Sequence, residues 1–491
     1  MNHTSFFEEP NLQFGLDTFI CPRFGIENFS PYDINSVRPE RIKIGIIGKG
    51  SSVPDFLLWL ESCQDFIPGK KSIIRPNPNL FPSFPGFNKK IAFKSELIFD
   101  DTFVRSVANY KFVELKDKSA TKKKEIICDL YFNEIKYLAQ NKKPDVIICL
   151  LPEEDIPLQD DDETEDEDIE EKDELKNIED VDSEAEEESE ELEYDDDYEF
   201  DLRRMLKAKS MEYKIPIQII RDRILKPTSG MQDKATIAWN LFTAIYYKAF
   251  GTPWAMIRNE NLPPSCYAGI SFYQSRDKKS IQTSVAQIFN EYGKGVVLRG
   301  SEVEINKEDR QPHLTEDQAF EILNKALEEY KSTLEIFPAR LVLHKTSNFT
   351  EEEIRGFEGV LIKNKIAKAD FVTILKSNIR LYRNAKYPPR RGTLLSLTHK
   401  HHIFYTRGTV EYFRTYTGKY IPQPLGIRIF RCDSSVNLII SEILSLTKMN
   451  WNNTQFDRKY PITIESAKKV GEIMKYIPRD RTPEIRYSFY M

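Results

Sequence analysis

The chain is 491 residues long, which fits two to four domains, and its 40% hydrophobic and 12% aromatic content can bury sizeable cores. A formal net charge of −7 conceals two opposite regions. Residues 153–199 hold 29 Asp/Glu against two Lys, whereas the other 444 residues hold 68 Lys/Arg against 48 Asp/Glu, a net of +20. This split excludes a neutral soluble enzyme as the starting assumption and puts a polyanionic partner first. The six cysteines (Cys21, Cys63, Cys128, Cys149, Cys266, Cys432) form no CxxC pair, so they read as reduced thiols rather than a zinc site or disulfide framework. The N-terminus lacks a signal-peptide layout, and no uncharged apolar run approaches the ~18 residues of a membrane span. A soluble, cytoplasmic protein without membrane contact is expected.

Residues 1–40, rich in Phe, Pro and Asn with little periodicity, read as an extended lead-in. RIKIGIIGKG (41–50) is a continuous apolar strand ending in glycines, and DFLLWLESCQDFI after it has helical spacing. The Pro-rich stretch 75–86 is loop, 91–99 a candidate strand, 126–140 a helix and DVIICLLP (145–152) a buried strand. Residues 153–199 cannot bury enough apolar surface to fold, so they predict a disordered acidic insertion. It either aids solubility or competes with nucleic acid for a basic groove. Next come a basic helix (201–213), a strand (IPIQII, 215–220) and a strong helix (235–250) closed by Gly251. Strands alternating with helices predict a parallel, doubly wound layer.

A second unit opens after NLPPS (261–265), whose prolines have linker chemistry. Strands are expected at CYAGISFYQ (266–274), VVLRGSEVEI (296–305, strand or hairpin), RLVLHKT (340–346) and DFVTILKS (370–377). Helices are expected at 316–333, 351–363 and 435–449, with three antiparallel strands around 379–430.

Two short motifs carry little chemistry. GIIGKGSS (45–52) lacks the GxxxxGK[ST] spacing of a phosphate-binding loop and reads as a glycine-assisted strand-to-helix turn. The histidines of HKHH (399–402) alternate faces along a strand and cannot all reach one ion, so the motif reads as a basic surface patch. More informative is the set Arg203, Lys207, Gln218 and Lys248. The first two share a helix face, Gln218 lies in the following strand and Lys248 ends the next helix. Two cations, an amide and a further cation at one end of a sheet would bind a terminal phosphate.

That set resembles the guide 5′-phosphate pocket of the MID domain in the Argonaute family. The downstream half resembles an Argonaute PIWI domain over nearly its whole length. CYAGISFYQ and RLVLHKT resemble its first and second catalytic strands, and HHIFYTRGTVEYFRTYTGKYIPQPLGIRIFR and the segment from LTKMNWNN to YPITIESAKKVG are the closest stretches. LQFGLDTFICPRFGIENFSPYD resembles the start of short prokaryotic Argonautes, and the stretch before it is too short for an N-terminal or PAZ domain. The resemblance implies a Rossmann-like MID domain (41–260) followed by a ribonuclease H-like PIWI domain (261–491), and an APAZ-containing effector protein as heterodimeric partner. Such effectors carry a TIR or sirtuin-like NADase or a nuclease, so the output expected in anti-plasmid or antiviral defence includes NAD depletion.

The departures from the family pattern shape the expected function. Ser271 stands where a slicing PIWI domain has its first aspartate, and Thr346, or Lys345 beside it, where it has the second. The last metal-binding position falls near 450–453, represented by Asn452. Without carboxylates to hold two metal ions, no slicing is expected. The chain then reads as a sensor that holds a 5′-phosphorylated guide RNA and captures a complementary single-stranded DNA target. Arg407, Arg414 and Arg428 would contact guide or target backbone. A structural Mg²⁺ beside the 5′ phosphate is implied by the family, with the C-terminal carboxylate of Met491 and Gln218 as its ligands. Two alternatives remain: a slicer drawing on Glu302, Glu304 or Asp457, and a sequence-indifferent single-strand binder.

Overall fold

A computed structural model of the protein describes residues 3–71, 77–153, 201–226, 232–258, 264–285, 295–382, 388–416, 418 and 421–491. The acidic insertion, apart from Glu153, and residues 261–263 of the expected linker lie outside the described residues.

The lead-in is not extended. It folds as strand β1 (His3–Phe6), two-residue strands β2 (Leu12–Gln13) and β3 (Thr18–Phe19), and helix α1 (Pro22–Phe29), which starts on a proline at its first position. Part of its backbone pairing is long-range, with His3–Phe6 against residues 393–396 and the Tyr32 amide on the Pro253 carbonyl, and such pairing leaves no local periodicity.

The first unit then runs β4 (Arg41–Lys49), α2 (Val53–Ser62), β5 (Glu96–Ile98), β6 (Val104–Val107), α3 (Asn109–Val113) and α4 (Ala120–Asn141). It continues with β7 (Val146–Leu151), α5 (Leu202–Ser210), β8 (Ile217–Arg221), α6 (Lys234–Lys248) and β9 (Ala255–Met256). β4 lies centrally: β5 and then β6 flank one side, β7 and β8 the other, all parallel. A strand covered on both faces should read as an apolar run, and all six residues of β7 are buried. Side chains of Ser119, Asp201 and Asp233 cap α4, α5 and α6. β9 pairs with β2, stitching the lead-in to the end of this unit.

The second unit begins with β10 (Ser265–Gln274), β11 (Ile281–Val285), β12 (Leu298–Val303), α7 (Glu316–Leu334), β13 (Arg340–Lys345), α8 (Glu351–Lys363) and β14 (Lys368–Lys376). After these come β15 (Thr393–Ser396), β16 (His401–Phe404), β17 (Thr409–Val410), β18 (Thr415–Tyr416), β19 (Leu425–Cys432), α9 (Val436–Leu446) and α10 (Ile462–Met474). Nine strands form one sheet in the order β1-β15-β16-β19-β14-β13-β10-β11-β12. Within it, β10 to β12 are antiparallel neighbours, while β13 and β14 run parallel to β10. That is the ribonuclease H-like arrangement. Cys266, Ala268 and Ile270 face α7 and α8, whereas the opposite face, with Val372 and Ile374, packs on α9 and α10. Gly269 is required where α10 crosses β10, because a Cβ there would lie 2.2 Å from the carbonyl oxygen of Thr463.

One hydrophobic cluster spans both units, from Ile42, Trp239 and Trp254 to Trp451, Ile462 and Tyr490. At the amino ends of β10, β13 and β14, Arg340 (2% exposed) pairs with Asp370 at 2.6 Å and with Glu442 at 2.6 Å. Removing one partner of such a network leaves buried charge uncompensated. Arg340→Met is therefore expected to lower stability by about 3–5 kcal/mol, read as a shifted denaturant midpoint. An unchanged midpoint would contradict this assignment.

Candidate nucleic-acid interface

α6, buried over most of its surface, ends at Lys248, which leaves the ammonium at the negative pole of the helix and only 1% exposed. A charge buried so deeply needs oxygen partners. Lys248 Nζ donates to Gln218 Oε1 at 2.6 Å, to the Ile217 carbonyl at 3.0 Å and to the backbone oxygen of Met491 at 3.1 Å. The last residue of the sequence is thus buried against β8 and α6 of the first unit. Asp33 fixes α6 from both sides of Lys248, accepting from Tyr246 Oη at 2.6 Å and from the Thr252 amide at 2.8 Å.

Arg203 and Lys207 lie one turn apart and half-buried on α5. The face they share lies between the one carrying Leu202 and Leu206 against α4 and the one from which Arg204 reaches Glu472 of α10 at 2.9 Å. Of the four predicted phosphate residues, direct contact joins Gln218 to Lys248, and Met491 joins the same centre. The part of Asp33 and Ile217 was not legible in the sequence: one acts through tertiary contact and the other through its backbone carbonyl.

In the second unit, Ser271 is buried on β10 and Thr346 directly follows β13. The two segments are adjacent, with Ile270 opposite Lys345 and the Thr346 amide donating to the Ile270 carbonyl at 3.1 Å. Asn452 belongs to a segment held by other partners. Its neighbour Trp451 packs on Tyr247, Asn453 accepts from Arg458, and Thr454 donates to Asn240 at 2.9 Å.

Beside Thr346, Lys345 turns into the α8 side of the sheet and pairs with Glu353 at 2.8 Å, both fully buried. Lys345 also donates to Ser347 Oγ at 2.7 Å and the Asn348 carbonyl at 2.8 Å. Glu353 completes the capping box of α8 with Thr350 and also accepts from the Leu314 amide at 2.9 Å. Burial pushes Lys345 down to about 8, against the pull of Glu353. Burial alone would raise the Glu353 carboxyl, but His313, the Lys345 charge and the Leu314 amide together hold it below its ordinary range.

Among the described residues, no group of three or more His, Cys, Asp or Glu is placed to hold a metal. Glu302, at the sheet edge on β12, pairs with Arg479 at 3.3 Å, while Asp457 is buried in the segment before α10.

Arg407 stacks over Tyr416 at 6.0 Å, and exposed Arg414 follows the short turn between β17 and β18. Arg428, on β19, donates to Asn348 Oδ1 at 3.1 Å. In HKHH, His399, Lys400 and His401 are exposed, but His402 is buried and bonded to Ser396 Oγ at 3.0 Å, so the surface patch is three residues and not four. The strand alternation that argued against a metal cluster also turns this imidazole inward. GIIGKGSS forms the β4-to-α2 turn, held by Asn109 on the Ser51 amide and by Asp222 on Ser52 Oγ.

A doubly wound parallel unit joined through one core to a ribonuclease H-like unit defines the class of this protein. No family model matches the chain. Among curated proteins, the argonaute of Aquifex aeolicus is 24% identical over 285 residues, 56% of this chain and 36% of that protein. Among solved structures, Clostridium butyricum Argonaute bound to a guide DNA and a 19-mer target DNA superposes with a TM-score of 0.65 at 16% identity. That match covers 98% of this chain and 54% of the other. Marinitoga piezophila Argonaute in complex with a 5′ OH guide RNA (TM-score 0.57, 13% identity) covers 97% and 60%. Drosophila Piwi (0.57, 12%) covers 99% and 56%. The fold is therefore the one shared by Argonaute and Piwi proteins, and the chain spans about half the length of these structures.

Because the folded state holds Glu353 below its ordinary value of 4.5, the stability it contributes is complete above that pH and is lost as pH falls through the lower folded value. Glu353→Gln is expected to lower Tm at pH 7 and to flatten the fall in Tm below pH 4.5. Parallel Tm-against-pH curves for the two proteins would contradict this pairing.

Proposed function

We propose that this chain is a guide-directed nucleic-acid sensor of the short prokaryotic Argonaute type, with no slicing activity of its own. A small guide RNA is anchored by its 5′ phosphate at Lys248, Gln218, Arg203 and Lys207. Its backbone follows the basic second unit past Arg428, Arg407 and Arg414. Base pairing then selects a single-stranded DNA target while the protein reads backbone and shape, as in other guide-directed systems.

The observation that carries this reading is the convergence of Lys248, Gln218 and Met491, with the basic helix α5 in contact with β8, the strand that bears Gln218. A buried cation with directional amide chemistry suits a terminal phosphate better than a continuous backbone. The relatives support the nucleic-acid part: the Clostridium butyricum protein was solved with guide and target DNA, and the Marinitoga piezophila protein with guide RNA.

Two-metal cleavage of a phosphodiester needs carboxylates to hold the ions. Ser271 and Thr346 supply hydroxyls there, and the adjacent Lys345 adds a buried ammonium already matched by Glu353. Target capture must then be reported by another protein. The partner proposed is an APAZ-containing effector whose NADase or nuclease is switched on by target pairing.

Two measurements test this function. A 5′-phosphorylated guide RNA is expected to bind at least tenfold tighter than the 5′-hydroxyl form. Lys207→Ala with Gln218→Ala should erase most of that difference, since charge-assisted hydrogen bonds contribute about 1.5–3 kcal/mol each. Equal affinities would favour the sequence-indifferent binder. The guide-loaded chain with Mg²⁺ or Mn²⁺ and a complementary target is expected to leave the target intact, and a cut opposite the middle of the guide would refute the non-slicing assignment.

A further inference from the structure

We infer that the Lys248 ammonium is itself the resident cation of the 5′-phosphate site, so that guide anchoring needs no divalent metal. The inference rests on the preceding assignment of this site to the guide's 5′ phosphate and concerns what balances charge there. The family resemblance implies Mg²⁺ held by the Gln218 side-chain oxygen and an oxygen of Met491. Both oxygens already serve the ammonium, at 2.6 and 3.1 Å, and the Ile217 carbonyl lies at 3.0 Å. These are N–H···O distances, the geometry of an ammonium among oxygen acceptors.

Mg²⁺ asks for something different: six oxygens in near-octahedral geometry at roughly 2.0–2.1 Å, several of them from water. A divalent ion on the same two oxygens would stand beside a fixed positive charge. As built, the donor set does not fit a resident Mg²⁺.

The ammonium is also held in place. Lys248 is the last residue of α6, and Asp33 clamps Tyr246 and Thr252 on either side of it. Because the helix end is clamped, the side chain cannot leave to make room for an ion without losing three hydrogen bonds. The remaining charge of the incoming phosphate is met by Arg203 and Lys207 on α5.

The test compares 5′-phosphorylated and 5′-hydroxyl guide RNA, binding to the full chain in EDTA and in Mg²⁺ at matched ionic strength. The inference predicts that the preference for the phosphorylated guide persists in EDTA, with affinity within about threefold of that in Mg²⁺. A preference that appears only with Mg²⁺ overturns the inference and leaves the guide-binding function standing. Equal binding of both guides in both buffers overturns that function, and the inference with it.

A variant gives an independent arm. Lys248→Met frees both oxygens, so it should lose the phosphate preference in EDTA and regain part of it with Mg²⁺. Retention of the full preference by this variant in EDTA would overturn the inference. The wild-type comparison stands alone should Lys248→Met fail to fold.

Discussion

A buried ammonium must be surrounded by oxygens or it will not stay buried. In this protein that requirement acts at Lys248, whose acceptors include the side chain of Gln218, the backbone of β8 and the last residue of the second unit. Satisfying one charge therefore fixes the relation between α6, β8 and the end of the chain. The lead-in contributes as well, since Asp33 holds α6 on both sides of the lysine and β2 pairs with β9 just beyond. The hydrophobic cluster shared by the two units supplies most of the cohesion, and the ammonium decides which polar groups meet within it.

A second buried charge, Lys345, follows the same physics to a different end. It sits beside Thr346 at the carboxyl end of β13, and its partner Glu353 also caps α8. One carboxylate thus serves a helix terminus and a lysine together. The result is a buried ion pair at the carboxyl end of an interior strand, with His313 beside it and two hydroxyl-bearing residues on adjoining segments. Lys248 is held instead by an amide oxygen, a carbonyl and an oxygen of Met491, and α5, in contact with β8, adds the cations Arg203 and Lys207.

Much of this fold was legible in the sequence because burial and periodicity agree. β4 and β7 are apolar runs covered on both faces, α8 announces itself with Thr350 and Glu353 in capping-box spacing, and α6 ends ahead of Gly251. The elements that escaped lack that agreement. β11 reads IQTSV, yet Gln282, Thr283 and Ser284 are all buried, and Ser284 Oγ donates to the Ala467 carbonyl at 2.8 Å. β6 is four residues long and mostly half-buried, and only its last residue, Val107, is fully covered. α10 opens ITI, a strand-like start made helical by Pro461 before it and by burial of Thr463 and Ser466 against β10. In the site, Gln218 and Lys248, grouped in the sequence by residue type and order, are in direct contact. The Asp33 clamp spans more than two hundred residues, and the second role of Glu353 depends on where β13 ends, so neither leaves a local trace.

The central claim is that the Lys248 centre receives the phosphorylated end of a guide. The most direct measurement is an experimental structure of the chain with a 5′-phosphorylated guide RNA. The account predicts phosphate oxygens within hydrogen-bond distance of Lys248 Nζ, with Arg203 and Lys207 turned toward them. A 5′ end lying elsewhere, with Lys248 still enclosed by Gln218, Ile217 and Met491 alone, would contradict it.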